Sequence, residues 1–321
     1  MNFFKNFEEI LGVDAGFRQT GYLILGPEEH KEQMETVFSL QQANGIDTAT
    51  LTPEEAASIH PMLNLTDIPV IGYDSMSGYC DPMLATKGYA KRAIELGFAI
   101  SPETEVATIT NSNGRYTIHT NNESIETPSV AVIVGPWSNL LLSDLGVELP
   151  YIVTKHKVLN IDFREKYDPS WPIVKDRTTP TKLYFRPTPE SQMIIGTGDH
   201  GEDSNNIDDT FKDNVDKEHI DNIKSHLGRL MPKLSISDNI RSWTGPYDIP
   251  PDWNPMVGNV EGHEGLYVAV GFSGHGFKLA PSIGANLALT ILEQTPSLTI
   301  QPYSPQRFTT NQLLAGPYGL G

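Results

Sequence analysis

Apolar Leu266, Val268 and Val270 alternate with other residues, and the period then lengthens to Leu279, Ile283, Leu287 and Ile291. The first pattern predicts a buried strand and the second an amphipathic helix. Between them, Gly271, Gly274 and Gly276 predict a tight turn whose backbone can approach a ligand closely. A helix starting there aims unpaired N–H groups and a partial positive charge at whatever rests on the turn. His275 and Lys278 stand at that spot, so the turn suits an anionic or electron-rich ligand.

Upstream, the pattern predicts a strand over 20–26 and an amphipathic helix over 28–44 carrying Met34, Val37 and Phe38. Thr52-Pro-Glu-Glu reads as a helix start, and a second helix runs over 81–97, capped by Asp81 and stopped by Gly97. Short strands follow at 105–110, 115–120 and 129–134, the last entering the turn Gly135-Pro-Trp-Ser. Extended segments at 157–163, 182–186 and 193–197 predict an antiparallel sheet. A helix is expected over 211–230, and the Pro-, Gln- and Gly-rich stretch after 295 is expected to be a surface arm.

The resulting fold class is mixed α/β: an incomplete Rossmann-like nucleotide-cofactor domain interwoven with an antiparallel-sheet substrate domain. The substrate domain takes 1–77 and 151–245, the cofactor domain takes 78–150 and 246–295, and 296–321 is a tail.

The net charge of -17 over 321 residues argues against nucleic acid and anionic membranes as partners. Cys80 is the only cysteine, so neither an internal disulfide nor a cysteine-based zinc site can form. Histidines show no metal-site spacing, no run is long enough to span a membrane, and the N-terminus lacks a signal-peptide pattern. A cytoplasmic protein is the expectation. A literal G-x-G-x-x-G occurs at 196–201, but acidic, turn-forming residues follow it where a helix should open. Their carboxylates would repel a pyrophosphate, so a hairpin turn is expected there. Gly12, Gly16 and Gly21 have the wrong spacing for the same fingerprint.

Gly-Phe-Ser-Gly-His-Gly-Phe-Lys-Leu-Ala-Pro at 271–281 resembles the C-terminal flavin loop of the D-amino-acid-oxidase-like flavoproteins, in the sarcosine oxidase and dimethylglycine dehydrogenase branch. Thr20-Gly-Tyr-Leu-Ile-Leu-Gly-Pro, Gly78-Tyr-Cys-Asp-Pro-Met-Leu-Ala, Gly135-Pro-Trp-Ser, Leu183-Tyr-Phe-Arg-Pro and Pro251-Asp-Trp-Asn-Pro-Met-Val-Gly follow in the family's order. The resemblance covers nearly the whole chain. It implies FAD as cofactor and oxidation of the C–N bond of a secondary amine or amino acid, by hydride transfer to flavin N5. The implied cofactor contacts are Gly135, Trp137, Gly271, Phe272, Ser273, Gly274, His275, Gly276, Phe277 and Lys278.

Lys278 resembles the lysine that pairs with the substrate carboxylate, the alternative being a surface helix lysine. His275 is read as a contact to flavin or site water, or else as a satisfied loop histidine. Tyr184 and Arg186 match the substrate-domain strand that faces the flavin, against a core tyrosine and a surface arginine. Arg241 and Tyr247 are weaker candidates.

Three departures from the family pattern stand out. The ADP-binding βαβ unit is expected to be missing, which leaves open a noncatalytic remnant or a partner chain that supplies it. The stretch 243–247 has no cysteine, so a cysteine–flavin bond there is excluded. The strand Met193-Ile-Ile-Gly196 is apolar where some oxidases carry an oxygen-activating lysine, and this favours dehydrogenase or slow oxidase behaviour.

Overall fold

The computed structural model describes residues 2–198, 203–204 and 215–314. Helices α1 (Asn2–Lys5) and α2 (Phe7–Leu11) precede β1 (Tyr22–Gly26), and a short 3-10 turn then leads into α3 (Lys31–Ala43). Next come β2 (Thr48–Thr50), α4 (Pro53–Ile59), β3 (Val70–Asp74) and α5 (Pro82–Glu95). Thr52 and Glu55 form a reciprocal capping box on α4, and Asp81 caps α5 through the N–H groups of Met83 and Leu84. Strands β4 (Val106–Ser112), β5 (Arg115–Thr120) and β6 (Ser124–Thr127) form a meander, followed by β7 (Val130–Val132) and α6 (Ser138–Leu142).

The second half contains β8 (Ile152–Phe163), β9 (Ile173–Asp176), β10 (Tyr184–Pro187), β11 (Met193–Gly196) and β12 (Asp203–Ser204). Helix α7 (Lys217–Leu230), β13 (Ile236–Ile249), β14 (Met256–Asn259), β15 (Leu266–Val270) and α8 (Gly276–Ile291) complete it. The helix expected over 211–230 starts at Lys217, because Asp216 is extended and caps it by accepting from the His219 N–H; residues 211–214 and the turn expected at 199–201 lie outside the described residues.

A nine-stranded sheet runs β12-β8-β11-β10-β9-β1-β3-β2, with β13 also paired to β8. It draws strands from both ends of the sequence. Its core packs Leu159, Ile161, Phe185, Met193 and Ile195 against Ile223, Leu227 and Leu230 of α7. Each such side chain, fully buried, contributes about 1.5–3 kcal/mol. The sheet is mixed rather than antiparallel throughout, because β1 and β9 pair in parallel. Strands β9 and β13 escape the periodicity. Strand β9 is only four residues long and ends in two charges. Strand β13 interleaves Ser, Asp, Asn, Gly and Pro, and is extended because it pairs along β8.

A smaller sheet, β14-β15-β7, pairs β15 with β7 in parallel and β14 with β15 antiparallel. Helix α8 lies on it through Leu287, which is buried with Val257 and Ala269. Residues 296–314 are not a loose surface arm. Ile300 is buried, and the buried Arg307 guanidinium forks onto Asp252, at 2.7 Å from Nε and 2.9 Å from Nη2. A bidentate pair of this kind fixes the segment against the 252–254 turn.

His60 is fully buried, with Nε2 3.2 Å from the Tyr167 hydroxyl and its ring 4.6 Å from that of Trp171. Burial pushes its imidazole down to about 3, against a backbone contact that favours the charged form. The unfolded histidine titrates near ~6.5, so below that pH the unfolded chain binds a proton the folded chain refuses. Stability is expected to fall from about pH 6.5 downward, by about 1.4 kcal/mol per pH unit from this residue. Urea midpoints between pH 7 and 4.5 should fall, and His60→Gln should flatten the slope. An unchanged slope in the variant would reject this account.

Candidate active site

The turn between β15 and α8 places Gly271 (φ 78), Ser273 (φ 48) and Gly274 (φ 78) in left-handed conformations. Its shape is held from outside. The Gly271 N–H donates to Asp248 Oδ2 at 2.7 Å, and the Ser273 N–H donates to the Asp248 carbonyl at 3.1 Å. Within the turn, the His275 N–H donates to the Phe272 carbonyl at 2.7 Å. Asp248 is buried near the end of β13, and burial holds its carboxyl above the usual range while the turn's N–H groups pull the other way. A Cβ on Gly274 would enter the Tyr247 ring. Helix α8 opens behind the turn with no side-chain cap and no acid in its first turn. Its first N–H groups therefore have no side-chain acceptor supplied by the cap.

In front of the turn is an open cavity of about 260 Å³ between α8 and the large sheet. The turn contributes Ser273, Gly274 and His275, and α8 contributes Lys278. The sheet contributes Tyr22 from β1, Ile173 and Lys175 from β9, and Tyr184 from β10. Lys175 and Tyr184 are direct cross-strand partners, which puts both side chains on one face. His156 and Tyr247 close one side, their rings stacked at 3.7 Å and 22°. His156 Nε2 is also 2.9 Å from the Thr154 hydroxyl.

The electrostatics of the cavity are cationic. Burial lowers the Lys278 ammonium. Burial, then Arg177, Lys182 and Lys278, push Lys175 down to about 8. Burial, then Lys278 and Lys175, push His275 down to about 4, so its imidazole is neutral at pH 7. Burial raises the Tyr22 phenol to about 12, leaving it a neutral hydroxyl.

Of the residues singled out from the sequence, Lys278, His275, Tyr184, Ser273, Gly274 and the weaker candidate Tyr247 meet at this one cavity, whereas Arg241 donates to Gln192 Oε1 at 2.8 Å and does not line it. Gly271, Phe272 and Gly276 shape the turn beside it. Gly135 (φ 55) passes Asp248 closely, its Cβ position 4.0 Å from Oδ2. Trp137 is 47% exposed, and Phe277 stacks on Phe4 at 5.3 Å. Arg186 does not reach the cavity: its guanidinium lies 4.8 Å over the Tyr79 ring and donates to the Pro187 carbonyl at 2.9 Å. Lys175, Asp248, His156 and Tyr22 went unnoticed in the sequence, where none belongs to a glycine turn or a periodic helix.

The sequence matches the DAO family, described as FAD dependent oxidoreductase, over residues 1–289. The chain belongs to this family. Human peroxisomal sarcosine oxidase is 25% identical over 304 residues, which cover 91% of this chain and 76% of that protein. Mouse mitochondrial sarcosine dehydrogenase is 23% identical, and the match covers 95% of this chain but 34% of that longer protein. L-proline dehydrogenase from P. horikoshii superposes with a TM-score of 0.87 at 27% identity, over 98% of this chain and 82% of that structure.

This DAO-family chain is thus an FAD-dependent oxidoreductase of the amine and amino-acid class. Its own residues fit the cofactor: a turn whose positive-φ glycines leave backbone exposed, an uncapped helix N-terminus and a cationic cavity beside them. No described helix is long and apolar enough to cross a membrane.

Asp248→Ala is expected to leave the Gly271 N–H unpaired and to cost about 1–3 kcal/mol. Thermal melts of the full-length protein check it, and an unchanged midpoint would show that the turn holds its shape without Asp248.

Proposed function

We propose that this chain oxidises the C–N bond of a secondary α-amino acid. The observation that carries the proposal is the meeting of the glycine turn, the α8 N-terminus and Lys278 at one cavity. The proteins named sarcosine oxidase, sarcosine dehydrogenase and L-proline dehydrogenase support the substrate class, since sarcosine and proline are both secondary α-amino acids.

FAD supplies the two-electron acceptor when bound. The turn 271–276 and the start of α8 would face its ring and favour negative charge developing there. Lys278 would pair with the substrate carboxylate and orient the amine-bearing carbon. Neutral His275 can accept or donate a hydrogen bond without adding charge. Tyr184, opposite the turn, would bound the substrate from the sheet side. The imine product leaves to hydrolyse in water.

Full-length protein should be yellow, and its flavin absorbance should bleach on adding a secondary α-amino acid such as sarcosine or proline. Protein that stays colourless through an FAD titration would overturn the proposal.

A second reading, an enzyme completed by further β/α structure on a partner chain, has one observation in its favour. Strand β7 ends its sheet, and Ile133, Trp137 and Leu140 beyond it are 56%, 47% and 62% exposed. Copurification of a flavin-bearing second chain would support it, and a yellow, active monomer in gel filtration would exclude it.

A further inference from the structure

Lys175 has no role in that proposal, yet it projects from the middle of the large sheet into the same cavity as Lys278. The two ammonium groups come from different layers, one from β9 and one from α8. Among the described residues, neither has a hydrogen-bond or ion-pair partner, and no carboxylate lines the cavity. The charged groups acting on Lys175 are Arg177, Lys182 and Lys278, all cations. Next to it across the sheet are Ile24 of β1 and Tyr184 of β10, neither of them acidic. Lys175 is half-buried and Lys278 exposed along its side chain, yet their surroundings desolvate both ammonium groups. A partly desolvated cation without a counter-ion among the described residues is costly, and a fold keeps one where a ligand brings the missing charge.

Charge balance indicates which ligand. His275 is neutral, so the described residues lining the cavity carry two positive charges when both lysines are protonated. An amino acid whose amine is uncharged, as its oxidation requires, brings one negative charge through its α-carboxylate. One cation is left unpaired. A substrate with a second carboxylate balances both.

We propose that Lys175 is a specificity-determining residue that holds a second carboxylate, so that the preferred substrate is a dicarboxylic secondary amino acid gripped between β9 and α8. This rests on Lys278 holding the α-carboxylate. The two carboxylates bridge the sheet and the helix, and the amine between them is presented beside the glycine turn. A monocarboxylate such as sarcosine engages Lys278 alone.

Two thioethers test this without turnover. Thiodiacetate carries two carboxylates and methylthioacetate one, and neither has an amine to oxidise. Calorimetric titration of the full-length protein should show thiodiacetate binding at least about 10-fold tighter than methylthioacetate, about 1.4 kcal/mol. Lys175→Met, which keeps the apolar stem, should abolish that preference and leave methylthioacetate affinity within about twofold. Lys175→Arg should retain the preference, whereas Lys278→Met should weaken both ligands. Equal affinities in the unmutated protein, or an equal loss of both ligands in Lys175→Met, would overturn the proposal; the second result would mean that both lysines share one carboxylate. Failure of both thioethers to bind would overturn it as well. If Lys175→Met does not fold, the comparison in the unmutated protein and Lys175→Arg still decides. Flavin bleaching by sarcosine or proline without any dicarboxylate preference would sink this inference and leave amine oxidation standing. Dicarboxylate preference without bleaching by any amine would do the reverse.

Discussion

Lys278→Met is expected to lower kcat/KM for the best amino-acid substrate by about 100- to 1,000-fold while FAD stays bound. The Lys278 side chain is exposed, but the cavity around its ammonium desolvates it and lowers its pKa, so its pairing with a carboxylate is only partly screened. Removing it strands the substrate's negative charge and loosens the orientation of the reacting carbon. The loss should fall mainly on KM for a small amino acid and on both parameters where the carboxylate also positions the amine. Methionine keeps the length and apolar stem, so the first turn of α8 should survive and the flavin spectrum should be unchanged. Steady-state kinetics with the visible spectrum check both halves. A variant with near-normal kcat/KM would return Lys278 to the status of an ordinary helix lysine.

Gly274→Val should abolish FAD binding, with purified protein colourless and affinity in titration reduced by at least about 100-fold, or about 2.7 kcal/mol. Two costs combine. At φ 78 a β-branched residue is strained. Its Cβ would also enter the Tyr247 ring, which is itself stacked on His156 and cannot yield freely. The turn must shift, and the N-terminus of α8 shifts with it. Gly114 supplies the control: it has the same φ of 78 and nothing within 4 Å of its Cβ position. Gly114→Val should therefore carry the backbone strain alone, melt slightly lower and remain yellow. If both variants lose flavin alike, the effect is one of general stability and the cradle reading of the turn fails.

The glycine turn was legible in the sequence because its chemistry is local. A strand period, positive-φ glycines and a helix period succeed one another within about thirty residues, and the structure places them as β15, the turn and α8. The caps at Thr52 and Asp81 were legible for the same reason. Arg186 shows the limit of such reading. Strand alternation puts it on the same side as Tyr184, but an arginine is long enough to turn away, and it stacks over Tyr79. Asp248 and Lys175 lay beyond local reading altogether. One is held at the end of a strand whose composition does not look extended, and the other is on a strand too short to show a period.

The sequence by itself determined the turn at 271–276, because backbone freedom and side-chain period are properties of neighbouring residues, and its ordered motifs carried the resemblance that implied the family and FAD. Only the tertiary structure decided that β9, drawn into the sheet between β1 and β10, brings a second ammonium, without a partner among the described residues, to the cavity opposite Lys278. That is a matter of long-range strand pairing, which is not written in any short stretch of the chain.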